Sequence, residues 1–98
     1  MQFKIHKAYR DIVAISDTDL IGKIFEEGIK QININPNFFQ GEEKTKEEIL
    51  NILRDLEKED ATFNIVGKES INTALEAGII KPEGILKIQD IPIALVLM

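Results

Sequence analysis

The sequence contains no cysteine, and it has a single histidine, His6. The lack of cysteine excludes disulfide bonds and metal sites built from thiolates. One histidine cannot form a histidine-pair metal site, so a strand residue that faces solvent is the favoured interpretation of His6. No run approaches the roughly 18 apolar residues that a membrane-spanning helix requires. The glycines form neither a dinucleotide-binding nor a P-loop fingerprint. These absences predict a protein with no metal centre, no cofactor and no contact with a membrane.

The chain also lacks a basic stripe, because its charge is acidic and unevenly spread. The net charge is −5, and residues 41–60 alone carry four basic and eight acidic residues. Direct tight binding to nucleic acid is therefore disfavoured, since it depends on clustered lysine and arginine. Contact with a protein that itself holds nucleic acid stays open. The carboxylates are typical of a solvated helix face, because paired catalytic carboxylates need a cleft and unlike environments.

What the chain does contain is typical of one globular domain over residues 1–98. Of these residues, 44% are apolar and 30% are charged, a balance found in folded proteins and not in disordered ones. A chain of this length can bury its own core. Residues 1–7 alternate like a strand and have no signal-peptide core, which predicts a cytoplasmic protein.

The first third of the chain predicts a hairpin followed by a helix. Residues 2–8 alternate between apolar and polar, and residues 12–15 form a short apolar run, so the two segments are predicted to pair as strands. Asp17 then offers an N-cap for a helix that ends at Gly28. The apolar face of this predicted helix consists of Leu20, Ile21, Ile24 and Phe25. Gly22 lies inside it, and close approach of the helix to the sheet is favoured there over space for a ligand.

A strand, an aromatic loop and the clearest helix of the chain follow. Residues 29–34 indicate a third strand, and residues 37–41 form the loop. Thr45 and Glu48 have the spacing of a capping box and predict a helix over residues 46–59. The apolar face of that helix consists of Ile49, Leu50, Ile52, Leu53 and Leu56.

The stretch of residues 62–67 is central to the predicted fold. It is interpreted as a short buried strand that turns into a helix at Gly67, and that helix ends at Gly78. Two apolar strand segments, residues 85–88 and 91–98, complete the chain. Together these elements predict an α+β fold, with a small mixed sheet of five or six strands and three helices in a single domain.

The end of the central strand is the most informative place for a site. A strand that ends in glycine and opens onto a helix can present backbone N–H groups to a ligand, but it is also an ordinary way to pack a helix on a sheet. Asn64 carries a polar amide in a buried strand and needs hydrogen-bond partners. The favoured interpretation is structural: Asn64 is expected to be largely buried and bonded to loop backbone, and Gly67 to be structural too. The alternative is that Asn64 faces a ligand.

Four short motifs carry a resemblance to a known family. They are Asp17–Lys23 (DTDLIGK), Phe39–Glu42 (FQGE), Asn64–Gly67 (NIVG) and the Ala77–Gly78 pair. In this order and spacing, over nearly the whole chain, they resemble the small archaeal conserved family numbered 424 among the domains of unknown function. The resemblance implies an archaeal, cytoplasmic protein without an assigned activity and, by association, an accessory role linked to translation or RNA. A histidine often follows the C-terminal proline in that family; Ile93 follows Pro92 here, so chemistry by that histidine is not expected.

Six residues are candidates to face a ligand or a partner: Asp17, Lys23, Phe39, Glu42, Asn64 and Gly67. No catalytic residue and no metal ligand is predicted. The leading hypothesis is a non-enzymatic binding or accessory module that acts through contacts with an unidentified protein. The alternative is a small-molecule-binding protein or enzyme with a site near Asp17, Lys23, Asn64 and Gly67, which requires these residues to converge around a cleft.

The last strand is expected to be covered. Residues 93–98 include no charged side chain, and both faces of the strand are apolar. An ordinary half-solvated edge strand does not fit this composition, and an open edge would invite aggregation. The strand is therefore expected either inside the sheet or against the same face of a second copy. The homodimer is favoured, because three short helices are too few to cover both faces of the sheet.

Overall fold

A computed structural model describes residues 1–56 and 61–97, which form a six-stranded sheet, a two-stranded sheet and three helices. The strands are β1 (Gln2–His6), β2 (Asp11–Ser16), β3 (Ile24–Glu27), β4 (Lys30–Asn33), β5 (Glu42–Glu43), β6 (Ala61–Val66), β7 (Leu86–Ile88) and β8 (Ile91–Leu97). The helices are α1 (Pro36–Phe39), α2 (Lys46–Leu56) and α3 (Lys68–Ala77). This arrangement confirms the predicted α+β class with a mixed sheet.

The large sheet has the strand order β5-β1-β2-β6-β8-β7. The first two strands form the predicted antiparallel hairpin, with Phe3 opposite Ile15. At the centre, β2 and β6 run parallel, and Val13 lies opposite Phe63. The stretch chosen from the sequence as the central strand is therefore an interior strand, paired with β2 on one side and with β8 on the other.

Helices α2 and α3 cover one face of this sheet, which we call the helix face. Alternate residues of β2 and β6 point to it, because successive side chains of a strand point to opposite sides. These strand residues, together with residues from both helices, form the larger hydrophobic core. The buried members include Val13, Ile15, Ile49, Leu53, Phe63, Ile65, Ile71 and Ala74.

The start of α2 and the end of α3 lie at the signals in the sequence. The N–H of Thr45 donates to Oε1 of Glu48 at 2.9 Å, and the N–H of Glu48 donates to Oγ1 of Thr45 at 3.2 Å, which confirms the capping box. Helix α3 ends where Gly78 adopts the left-handed conformation. The predicted residues 57–59 of α2 lie outside the described residues.

The predicted helix from Leu20 to Gly28 is wrong, because most of this segment belongs to the β3–β4 hairpin. Gly28 forms the turn of the hairpin with φ of +63°, and Gly22, before β3, has φ of +85°. Both values lie in the left-handed region that glycine adopts readily and that a right-handed helix excludes. Phe25 packs on a core, whereas Ile24 is 55% exposed, which is the period-two pattern of a half-buried strand.

The β3–β4 hairpin and α1 cover part of the opposite face, which we call the hairpin face. A second hydrophobic cluster lies there and consists of Ala14, Leu20, Ile34, Phe39 and Val66. The predicted aromatic loop is instead a helical turn, and Oδ1 of Asn35 caps it by accepting the N–H of Asn37 at 2.8 Å. The predicted third strand exists as β4, but it belongs to the two-stranded sheet.

The last strand is interior over its first part only. Strand β7 pairs with Ile91–Ile93, through a turn in which Gln89 and Asp90 have positive φ. Strand β6 pairs with Ile93–Leu97 on the other side. The last strand therefore lies inside the sheet, which is one of the two arrangements expected from the sequence. Its pairing with β7, however, stops at Ile93. From Ala94 onward, β8 has a strand partner on one side only within the described residues.

Candidate functional site

Asp17 holds the N-terminus of α3 from the end of β2. Its carboxylate is almost fully buried. Oδ1 accepts the backbone N–H and the hydroxyl of Ser70, both at 2.8 Å, and Oδ2 accepts the N–H of Glu69 at 3.2 Å. Asp17 therefore caps a helix, as the sequence predicts, but that helix is α3 and not the segment that follows it. An anion at a helix N-terminus is stabilised by the free N–H groups and by the helix dipole.

Gly67 allows this cap because it has no side chain and leaves space for the carboxylate of Asp17. A Cβ atom on Gly67 would lie 2.3 Å from Cγ of Asp17, and the residue has φ of +108°. Its N–H donates to the carbonyl of Pro92 at 3.0 Å. At this strand–helix junction the amide of Gly67 is thus bound to Pro92, and the amides of Glu69 and Ser70 are bound to Asp17. The structural interpretation of Gly67 fits this geometry.

Asn64 points to the hairpin face. It lies between Ala14 on β2 and Leu95 on β8, and its side chain is half-buried. Within residues 1–56 and 61–97, its amide makes no hydrogen bond. The predicted bonds from this amide to loop backbone are therefore not formed. Asn64 and Gly67 are close in sequence but face different parts of the molecule.

The three remaining candidates are Lys23, Phe39 and Glu42. Lys23 is exposed, and its backbone carbonyl accepts the N–H of Ile34 at 2.9 Å. Phe39 is buried in the hairpin-face cluster. Glu42 is exposed and lies 3.2 Å from Nζ of Lys44. Among the six candidates, the contact that the structure shows is the one between Asp17 and Gly67.

One polar cluster, around Glu43, is not indicated by the sequence. The carboxylate of Glu43 accepts the amino group of Met1 and the hydroxyl of Thr18, the latter at 2.7 and 3.0 Å. The hydrogen bond from the Met1 amino group, followed by that from Thr18, lowers the pKa of Glu43. These partners are 42 and 25 residues away along the chain, so no local pattern could have indicated them. The cluster fastens the short strand β5 to the sheet.

The surface cavities lie away from the predicted site. None of the four cavities described here is lined by Asp17, Lys23, Asn64 or Gly67. These four cavities therefore do not supply the cleft that the small-molecule alternative requires.

The most apolar of these four cavities lies on the hairpin face, between the β3–β4 and β7–β8 hairpins. It has a volume of about 410 Å³, and we call it the hairpin groove. Its apolar lining consists of Ile29, Ile32, Leu86, Ile88 and Ile93. Leu95 follows Ile93 on the same side of β8, and Leu86 and Leu95 are 65% and 63% exposed. The apolar character of the last strand is visible in the sequence. The opposite wall of the hairpin groove belongs to the β3–β4 hairpin, for part of which the sequence predicts a helix.

A family model described as protein of unknown function, DUF424, matches residues 6–98. The chain belongs to the DUF424 family. Its fold is similar to the crystal structure of an uncharacterized conserved protein from the archaeon Methanopyrus kandleri, with a TM-score of 0.84 and 17% sequence identity. The match covers 97% of this chain and 88% of that chain. At such low identity the likeness concerns the fold alone. No curated protein matches the chain significantly.

The motifs that first indicated DUF424 coincide with positions that the fold restricts. Asp17 and Gly67 form the helix cap, and a Cβ atom on Gly41 would lie 2.3 Å from the carbonyl oxygen of Phe3. The architecture therefore restricts the residue type at Asp17, Gly41 and Gly67 in this chain. Among residues 1–56 and 61–97, no helix has the length and apolarity needed to cross a membrane.

Proposed function

We propose that this DUF424 protein is a non-enzymatic binding module that acts through protein contacts at the hairpin groove and the adjoining Leu95. The observation that supports this is the grouping of exposed apolar side chains. Leu86 lies opposite Ile93, Leu95 is two residues further along the same strand, and Ile29 is fully exposed at the other wall. Single exposed leucines are ordinary, whereas a contiguous apolar surface is typical of an interaction site.

Charge supports the same surface. The chain carries a net charge of −5, and 30% of its residues are charged, yet Lys30 is the one charged side chain in the lining of the hairpin groove. Depletion of charge at the centre of a patch distinguishes protein interfaces from the remaining surface. An acidic chain can therefore present this surface to a partner without bringing carboxylates into contact.

A second copy of the chain is the partner that we propose first. Within the part of the chain that the structure describes, strand β8 has no strand partner on one side from Ala94 onward, and the segment is uncharged, so two copies can meet there about a two-fold axis. Such a contact would cover both Leu95 and the open strand edge, which otherwise invites non-specific pairing. The link with translation or RNA and the cytoplasmic location stay predictions.

Sedimentation velocity with matched variants tests this proposal. The wild type is expected to be dimeric at tens of micromolar, a rough range for a weak interface. Leu86→Glu and Leu95→Glu should be monomeric. Ile24→Glu is the control, because Ile24 is 55% exposed but does not line the hairpin groove. A monomeric wild type would rule out the homodimer.

A monomeric wild type leaves the protein-binding module to be tested by comparative capture. Immobilised wild type and Ile24→Glu should retain the same protein from native lysate, and Leu86→Glu should lose it. Failure to find any protein that distinguishes the wild type from Leu86→Glu would contradict a binding module that uses this surface.

A further inference from the structure

Strand β7 contributes to a second cavity on the other side of the sheet. Leu86 and Ile88 line the hairpin groove, and Lys87 between them points the opposite way. There it lines a cavity of about 350 Å³ between α3 and the β7–β8 hairpin, which we call the helix–hairpin cavity. The volume lies at the small end of the range found for sites that bind small molecules.

The inner wall of the helix–hairpin cavity is apolar. It is formed by Ile71 and Leu75 on α3, by Ile85 before β7 and by Pro92 on β8. Ile71 and Pro92 are buried, and Leu75 and Ile85 are half-buried. Ile71 belongs to the larger hydrophobic core, and Leu75 and Ile85 pack against it, so the wall is formed before any ligand arrives. It suits the apolar part of a small ligand of a few carbon atoms.

The rim of the same cavity is polar and carries more positive than negative charge. It consists of Lys68, Asn72, Lys87 and Asp90, all of which are exposed. Within the described part of the chain, none of these four side chains takes part in a hydrogen bond or an ion pair. Lys46, at the start of α2, differs because it is paired with Glu76 of α3 at 3.2 Å. Lys68 and Lys87 therefore place two positive charges without protein partners at the rim of one apolar cavity, in a chain with a net charge of −5.

We propose that the helix–hairpin cavity binds a small organic monoanion, such as an aliphatic carboxylate. Its apolar part would lie on the wall formed by Ile71 and Leu75, and its charged group would face Lys68 and Lys87. Asp90 at the rim opposes a second negative charge, which favours a monoanion over a dianion. Asn72 can donate to a carboxylate oxygen. The site is separate from the hairpin groove and does not depend on the proposed protein contacts.

An NMR titration of the ¹⁵N-labelled full chain with hexanoate tests the proposal. Amide shifts should be saturable and confined to α3 and the β7–β8 hairpin. Hexanol has the apolar part without the charge, and acetate has the charge without most of the apolar part. Both should bind at least about fivefold more weakly than hexanoate, since each loses one of the two contributions. Equal binding of hexanol, or shifts spread over the whole surface, would overturn the proposal.

Variants of the rim separate a local site from a general effect of charge. Lys68→Gln with Lys87→Gln should weaken hexanoate binding by about fivefold for each lysine. The control Lys23→Gln with Lys81→Gln makes the same change of net charge at exposed lysines that line neither this cavity nor the hairpin groove, and it should bind like the wild type. Asp90→Asn should strengthen binding by about fivefold, a gain that misfolding cannot mimic. Equal losses in both lysine pairs, or no gain in Asp90→Asn, would contradict the assigned site.

Discussion

The two faces of the six-stranded sheet are covered by other elements to different extents. On the helix face, α2 and α3 bury alternate residues of the central strands completely, and Phe63 has no exposed surface. On the hairpin face, a four-residue helix and a short hairpin cover Ala14 and Val66 but leave Leu95 63% exposed. More large side chains are therefore buried on the helix face, and part of the hairpin face stays exposed.

The largest expected effect compares one residue from each face. Phe63→Ala should lower the free energy of unfolding by about 4 kcal/mol, because it removes a fully buried ring and leaves a cavity. Leu95→Ala should cost less than about 1 kcal/mol in the monomer, because most of that side chain is already in water. Urea unfolding of both variants measures the difference. Similar losses would show that the hairpin face is as tightly packed as the helix face.

The next largest effect is expected at the contact between Asp17 and Gly67, which joins the end of β2 to the start of α3. Gly67→Ala should lower the free energy of unfolding by about 3 kcal/mol, because the added Cβ displaces Asp17 at an unfavourable φ. Asp17→Ala should cost about 2 kcal/mol, because it leaves donors of Glu69 and Ser70 without their acceptor. Gly84→Ala is the control, since nothing lies within 4 Å of a Cβ there. If Gly67→Ala is as stable as Gly84→Ala, the cap is not the constraint that we describe.

A smaller effect is expected at the start of α2. Thr45→Ala removes the hydroxyl that accepts the N–H of Glu48 and should lower the free energy of unfolding by about 1 kcal/mol. The change lies at the surface, so the core of the helix face stays intact. Hydrogen exchange should show faster opening in the first turn of α2 and unchanged protection in β6. Uniform loss of protection would argue that the two helices and the sheet open only together.

The smallest effect is a dependence on pH from the same capping box. Hydrogen bonds from the backbone and side chain of Thr45 lower the pKa of Glu48 from its usual value of 4.5. Since the folded pKa is the lower one, the stabilisation is present above about pH 4.5 and is lost as the pH falls through the folded pKa. Carboxyl NMR titration should show the Glu48 pKa rising toward 4.5 in Thr45→Ala. An identical titration in both proteins would contradict this assignment.

The helix face could be predicted from the sequence, and the hairpin face could not. Helices α2 and α3 carry long periodic patterns and explicit end signals at Thr45 and Gly78, which act locally. Strands β3 and β4 have four residues each, and the apolar spacing of Leu20, Ile24 and Phe25 suits a helix equally well. Tertiary contact of Phe25 with the second cluster decides between them.

The candidate site shows the same limit. Asp17 and Gly67 were both singled out from the sequence, but their contact joins residues 50 positions apart. Nothing local indicates that the carboxylate at the end of β2 occupies the N-terminus of α3. The apolar character of β8 was visible in the sequence, whereas the opposite wall of the hairpin groove required the position of β4. Local patterns thus identified residues, and only the fold determined their neighbours.

The parallel pairing of β2 with β6 also bears on the order in which the chain folds. Every residue of β2 pairs with a residue 50 positions later, so the centre of the sheet closes only after a long loop has been formed. The β1–β2 and β3–β4 hairpins are local and can form early, whereas this closure is slow for entropic reasons. During synthesis, β2 is therefore expected to leave the ribosome with one side unpaired and to stay so until β6 has been synthesised and has paired with it. The apolar residues Val13 and Ile15 are exposed to other chains throughout that interval.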